Sequence, residues 1–225
     1  SVEQVTAQVQ ALGIDRDSKV VIYDARGAFS GPRAWWLLKS HGLTDVYLLN
    51  GGLNAWQAMG YPLVENKLDE ADKPGDFKAQ YQADCFVDKD EVHAWVLQND
   101  LDQADNSYLI DVRSAERFAG LSPEPREGLR AGHIPHSLNL PFTQLLHPED
   151  RSYLSHAALK DQFEAVLDIS IDECIQKNTR LMFTCGSGMT ACIALLAAWQ
   201  LGLRNLAVYD GSWTEWGSDA SLPIA

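Results

Sequence analysis

The sequence predicts an α/β architecture: two copies of a parallel-strand unit flanked by helices, the first copy incomplete at its N-terminus. Three observations lead there. Short continuous apolar runs alternate with amphipathic stretches, the pattern of parallel strands covered by helices. The order of segments near the start of the chain returns far downstream. In both copies a Gly-containing loop follows an apolar run, at the carboxyl end of a strand, where α/β proteins bind ligands.

Residues 20–24 (VVIYD) form the first apolar run. A loop with Gly27 and Gly31 leads into an amphipathic stretch through Ala34-Trp35-Trp36-Leu37-Leu38. His41-Gly42-Leu43, an apolar run at 46–49 and Gly51-Gly52-Leu53-Asn54-Ala55-Trp56 follow. Downstream the order is repeated: a run at 181–184, a loop at 185–190, a helical stretch at 191–201, Gly202-Leu203, a run at 206–209, and Gly211-Ser212-Trp213-Thr214-Glu215-Trp216. Gly42 and Gly202 are 160 apart, as are Trp56 and Trp216; Asp24 and Cys185 are 161 apart, so the second loop is one residue shorter.

The second copy carries more in front of it. Residues 108–112 (YLIDV) read as a strand, and 132–141 as a turn followed by another. Their counterparts in the first copy would precede residue 1. Residues 1–65 are therefore expected to be the back half of one domain and 85–225 a complete one. Residues 66–84, charged and holding Pro74-Gly75, read as a linker.

The chain has 225 residues, enough for one large domain or two small ones, and 46% of them are hydrophobic, so a core can form without covalent staples. The net charge of −13 disfavours nucleic acid and anionic membrane as partners, because both require a basic face. An anionic small substrate is compatible with it, since a few local arginines dominate a pocket. The four cysteines, Cys85, Cys174, Cys185 and Cys192, form no CxxC pair and no Cys/His cluster, so no metal site is expected. Free thiols suit a reducing compartment, and a cytoplasmic location is the expectation.

Chemistry is expected at Cys185-Gly186-Ser187-Gly188-Met189-Thr190. Two glycines allow tight turning, so successive N–H groups can point inward as an anion nest. The following helix adds its positive end. A cysteine at the head of such a loop is favoured as the thiolate nucleophile. Cys192, within the apolar helix, reads as core. Cysteine-dependent phosphatases carry an Arg six positions after the cysteine; Ala191 stands there, so phosphate has no guanidinium ligand in the loop.

The tandem repeat, Asp-Val-Arg at 111–113, Gly-His-Ile-Pro at 132–135 and Gly-Ser-Trp-Thr-Glu-Trp at 211–216 resemble the rhodanese superfamily. The loop is similar to the Cys-Gly-Ser-Gly-Val-Thr loop of 3-mercaptopyruvate sulfurtransferases, whereas thiosulfate sulfurtransferases tend to carry basic residues after the cysteine. Phe29-Ser30-Gly31-Pro32-Arg33-Ala34-Trp35-Trp36 resembles the family's silent N-terminal domain, with Asp24 in the cysteine's place. The fold implied is two rhodanese-like domains.

The resemblance implies a sulfurtransferase. Cys185 takes the sulfur of 3-mercaptopyruvate, a persulfide forms, pyruvate leaves, and a thiol collects the sulfur. The acceptor is a small thiol or a dithiol protein such as thioredoxin; cyanide serves in vitro. No cofactor is required. Arg117 and Arg126 are the expected substrate ligands, their planar guanidinium groups suited to a 2-keto acid. Ser187, with the N–H groups of Gly186, Gly188, Met189 and Thr190, is expected to stabilise developing charge. Thr190 is expected to cap the helix. Arg113 is expected to pair with a carboxylate, and His133 to serve a structural turn. The alternatives are a thiosulfate sulfurtransferase and a non-catalytic persulfide carrier.

Overall fold

A computed structural model describes residues 1–64, 73–101 and 106–225. It divides into two units, Ser1–Ala83 with Glu149–Ser152, and Asp84–Pro148 with Tyr153–Ala225.

In the first unit, helix α1 (Val2–Ala11) begins at a capping box made by Ser1 and Gln4. Strands β1 (Val20–Ile22) and β2 (Val46–Leu48) pair in parallel, Val20 beside Val46. Helix α2 (Gly31–Ser40) connects them, with Pro32 in its first turn, where a missing N–H costs nothing. It buries Trp35 and Trp36. The Trp35 indole N–H donates to the Val46 carbonyl at 3.0 Å, satisfying the polar atom of a buried ring. Helix α3 (Gly52–Ala58) closes the unit's repeat. Val21 and Tyr23 remain exposed and, with Leu49, Leu53 and Trp56, line an apolar groove of about 390 Å³.

Part of the expected linker, 66–72, lies outside the described residues. Residues 73–83 of it are grouped with the first unit. Gly75 donates to the Gln10 carbonyl at 2.8 Å, and a Cβ on Gly75 would lie 2.1 Å from the Ile14 carbonyl oxygen. Only glycine fits that approach. Phe77 is buried beyond it, and the Gln10 side-chain amide donates to the Phe77 carbonyl at 2.9 Å. The Pro-Gly pair marks a close backbone crossing, which composition does not distinguish from a linker.

The second unit runs β3 (Phe86–Val87), α4 (Lys89–Asp100), β4 (Ser107–Asp111), α5 (Ala115–Phe118), β5 (Leu138–Asn139), α6 (His156–Leu167), α7 (Ile171–Gln176), β6 (Arg180–Thr184), α8 (Ala191–Gln200), β7 (Leu206–Tyr209) and α9 (Ser212–Trp216). Its five strands are all parallel, in the order β3-β7-β6-β4-β5. β6 is therefore central, with β4 and β7 on its two sides. Every residue of α8 from Ala191 to Ala198 is buried, which explains a helix apolar on all faces. Val92, Trp95, Leu109, Ile134, Met182, Trp213 and Trp216 share one core cluster. The repeat holds in detail: α2 and α8 each have ten residues and begin 160 apart, as do the starts of α3 and α9.

The chain's last residues are tied back by Arg130. Its guanidinium donates to the carbonyls of Gly217, Trp216 and Leu222 at 3.1, 3.0 and 3.0 Å, and to that of Asp219. The Asp219 carboxylate accepts from Ser221 and from Lys89, the latter at 3.0 Å. Those bonds, from Ser221 foremost, hold it down to about 2. Among the described residues no helix is long and apolar enough to cross a membrane.

A depressed carboxyl stabilises the fold above its unfolded value and loses that contribution as pH falls through its folded value. Thermal unfolding should therefore show a loss of stability between about pH 4 and about 2 that Asp219→Asn lacks; equal acid slopes in the two proteins would refute this.

Candidate functional site

Cys185 follows β6 directly and is buried. The central strand thus delivers it to the sheet's carboxyl edge. The loop beyond is held by one side chain. Ser212 accepts N–H bonds from Cys185 at 3.2 Å and Gly188 at 2.9 Å, and donates to the Tyr209 carbonyl at 2.8 Å. The Cys185 carbonyl accepts from Trp213 N–H, and the Gly186 carbonyl from Thr214 N–H, both at 3.0 Å. Ser187 N–H is left facing the Cys185 sulfur at 3.5 Å. The N–H groups of Gly186, Met189, Thr190 and Ala191 have no acceptor among the described residues. Gly188 has φ +76°, and a Cβ there would collide with Asp210. Ser187 and Met189 are exposed.

Thr190 departs from expectation. It occupies the N-cap of α8, but its side chain makes no capping bond. A capping hydroxyl needs an extended backbone at its own residue; Thr190 is helical, at φ −75° and ψ −16°. The helix N-terminus is consequently left open toward the loop.

Both predicted arginines reach the loop. A Cβ placed on Gly186 would lie 3.2 Å from Arg117 Nη2 and 4.0 Å from Arg126 Nη1. Their availability differs from the expectation of two open forks. Arg117 gives its Nε and Nη2 edge to Glu124, at 3.2 and 2.5 Å. Glu124 also accepts from Arg113 Nη1 at 2.9 Å, and Arg113 grips Asp111 at 2.6 Å. Arg113 lies 4.3 Å from the Trp213 ring centroid and is buried. It is the structural pair expected. Burial pushes the Asp111 carboxyl up, opposed by bonds from Arg113. Arg126 is exposed and spends only Nη1, donating to Thr214 Oγ1 at 3.1 Å. Arg126 is thus the more open fork.

The remaining candidates are structural. His133 stacks on Phe118 at 3.7 Å and donates through Nδ1 to the Phe118 carbonyl at 2.9 Å. Cys192 is buried in α8, its thiol directed at the Gly188 carbonyl at 3.6 Å. Burial pushes the thiols of Cys85 and Cys174 up, which makes both poor nucleophiles. Among the described residues no cluster suits a metal ion. Sequence reasoning passed over Ser212, Thr214 and Glu124. A signal was present for Ser212: its repeat counterpart is Gly52, and both have positive φ, 51° and 57°. A serine placed where the twin unit needs glycine marks a backbone held under strain for a purpose.

The first unit contains the same loop in filled form. Asp24 stands at the cysteine's position, and its Oδ2 accepts the N–H groups of Phe29, Ser30 and Gly31 at 3.0, 2.9 and 2.9 Å. Arg26 N–H donates to Oδ1 at 2.7 Å. The carboxylate occupies the nest that the second unit leaves open.

The class is thereby defined: an α/β domain whose central strand hands a cysteine to an anion-binding loop, in a chain that also carries a twin loop closed by its own carboxylate. The chain belongs to the rhodanese-like family; the family's description, Rhodanese-like domain, matches residues 1–59 and 93–219. It is 38% identical to thiosulfate/3-mercaptopyruvate sulfurtransferase 1, mitochondrial, of Arabidopsis thaliana, over 99% of this chain and 60% of that protein. It is 33% identical to the 3-mercaptopyruvate sulfurtransferase of Escherichia coli strain K12, over 99% of this chain and 73% of the relative. The solved structure of SseA from Escherichia coli, a 3-mercaptopyruvate sulfotransferase with the rhodanese fold, superposes with a TM-score of 0.75 at 32% identity, covering 93% of this chain and 72% of that one. The chain spans about 60% of the length of the Arabidopsis relative.

Ser212→Ala should leave two buried loop N–H groups without an acceptor and cost about 1–3 kcal/mol. Urea unfolding measures it; a midpoint unchanged from wild type would show that the loop does not need the hydroxyl.

Proposed function

We propose that this chain is a sulfurtransferase whose second unit carries the chemistry through a Cys185 persulfide, with 3-mercaptopyruvate as donor. The observation that carries it is the contrast between the two loops. Where the first unit's nest is filled by Asp24, the second offers a cysteine and N–H groups without acceptors. That difference supports a first unit that is silent and a second that is catalytic.

In this reading the Cys185 thiolate attacks the sulfur of mercaptopyruvate. The carbon–sulfur bond breaks, its electron pair passes to the carbon, and pyruvate leaves as its enolate and takes a proton. Cys185 is left as a persulfide. An acceptor thiolate then attacks the outer sulfur and regenerates the Cys185 thiolate. Ser187 N–H faces the reacting sulfur, and the N–H groups of Gly186, Met189 and Thr190 with the Ser187 hydroxyl offset charge at the nest. Gly188 contributes its conformation rather than its N–H, which Ser212 already holds. Arg126 receives the carboxylate, and Arg117, anchored by Glu124, adds its outer N–H groups. The sulfur rides on Cys185 itself, so neither cofactor nor metal is needed. The acceptor is a small thiol or a dithiol protein of the thioredoxin kind, and cyanide substitutes for it in vitro.

A second donor has support. Two guanidinium groups beside the loop also suit the thiosulfate dianion, and the Arabidopsis relative is named for both donors. Intact mass after brief exposure to each donor separates them. Mercaptopyruvate should add one sulfur atom to wild type and none to Cys185→Ser; uptake from thiosulfate alone would transfer the assignment, and no uptake from either would point to a persulfide carrier or binding module.

Arg126→Met should raise KM for mercaptopyruvate by roughly 10–100-fold, the value of a charge-assisted hydrogen bond, with little change in thermal stability. Arg117→Met should also lower the melting temperature, because Glu124 would lose two of its bonds in a buried site. Steady-state kinetics and calorimetry decide the matter; an unchanged KM in Arg126→Met would remove it from the substrate's path.

A further inference from the structure

We propose that Thr214 is a positioning residue that aims the Ser187 N–H at the Cys185 sulfur and couples that aim to Arg126. The inference rests on Cys185 being the reacting group. It begins with the Gly186–Ser187 peptide. A trans peptide points its C=O and N–H in opposite directions, so fixing one fixes the other. The Gly186 carbonyl is held twice by a single residue: Thr214 N–H donates to it at 3.0 Å and Thr214 Oγ1 at 2.5 Å. With that carbonyl drawn toward α9, Ser187 N–H faces the other way, toward the sulfur at 3.5 Å.

The hydroxyl has one proton, and it is given to Gly186. Toward Arg126 the oxygen can act only as an acceptor, and Arg126 Nη1 donates to it at 3.1 Å. A cation donating to a hydroxyl strengthens the bond that the hydroxyl donates in turn. The sequence Arg126, Thr214, Gly186 carbonyl, Ser187 N–H, Cys185 sulfur is therefore one polarised chain. It joins the residue that meets the substrate's carboxylate to the group that meets its sulfur. Thr214 itself touches neither the carboxylate nor the sulfur.

Iodoacetamide tests this without a sulfur donor, because it is neutral and reports only how readily Cys185 attacks. Alkylation at pH 7, followed by mass and assigned with Cys185→Ser, should be about tenfold slower in Thr214→Val, the effect of one hydrogen bond, with an unchanged melting temperature. Thr214→Ser should restore the rate to within about twofold, since the hydroxyl alone is invoked. Arg126→Met should slow alkylation by itself and add nothing on top of Thr214→Val. With mercaptopyruvate the loss in Thr214→Val should fall on kcat of sulfur loading, whereas Arg126→Met raises KM. Should Thr214→Val not fold, the ratio between Thr214→Ser and Thr214→Ala carries the same comparison. Wild-type alkylation rates in Thr214→Val, or a slow Thr214→Ser, overturn the positioning role. Additive losses in the double variant overturn the coupling. If wild type alkylates readily yet takes no sulfur from mercaptopyruvate, the donor assignment fails while the role of Thr214 is still decided.

Discussion

The loop after β6 depends on the Ser212 hydroxyl. An anion-binding loop must leave several N–H groups without internal partners and still keep one shape. Here Ser187 N–H faces the Cys185 sulfur, and the N–H groups of Cys185 and Gly188 are pinned by one side chain. Ser212 takes the N–H groups of Cys185, at the loop's head, and of Gly188, in its middle, and anchors itself on the Tyr209 carbonyl. It does so from a left-handed backbone that a side chain ordinarily avoids. The parallel sheet makes the arrangement possible: β6 and β7 are neighbours, so the segments that leave their carboxyl ends lie side by side. The loop's shape thus comes from the strand pairing beneath it and from a serine 27 positions away in sequence.

The two units are a natural comparison in which fold is constant and chemistry changes. Both have a strand, a Gly-containing loop, a ten-residue helix and a second parallel strand. In the first, Asp24 supplies a carboxylate that saturates the nest and the start of α2. In the second, a cysteine heads the loop, and the start of α8 lacks even the threonine cap its sequence offers. An aspartate at that position satisfies the backbone and ends its usefulness to a ligand. A cysteine leaves the donors available. The loss of three strong acceptor contacts is borne by packing, since α8 is buried almost throughout.

Charge is arranged with the same economy. Asp111, Arg113, Glu124 and Arg117 alternate in sign from the end of β4 toward the loop, and all but Arg117 are nearly inaccessible. Buried charges of this kind are tolerable only when each is paired and hydrogen-bonded, and each is. The price is that Arg117 arrives at the loop with one edge committed. Arg126, outside the buried chain, keeps most of its guanidinium free and meets the loop through Thr214.

Much of this was legible in the residues alone. The repeat offset, the parallel α/β class and the order of elements within the repeat follow from periodicity and spacing, Cys185 from its place at the head of a glycine-containing loop, and both arginines from the family resemblance. Strand bounds moved by one or two residues, as at 20–24 against Val20–Ile22, where pairing ends before the apolar run does. What the residues could not reveal depends on partners distant in the chain. Gly75 reads as a breaker until Ile14 is seen against it. Thr190 reads as a cap until its backbone is known to be helical. Arg117 and Arg126 read alike until Glu124 is found to hold only one of them. Residue type and order determined which chemistry is available, since thiols and guanidinium groups carry theirs wherever they stand. Which N–H faces the sulfur, and which arginine stays open, were decided by tertiary structure, because hydrogen bonds are made between whichever groups the fold brings within about 3 Å.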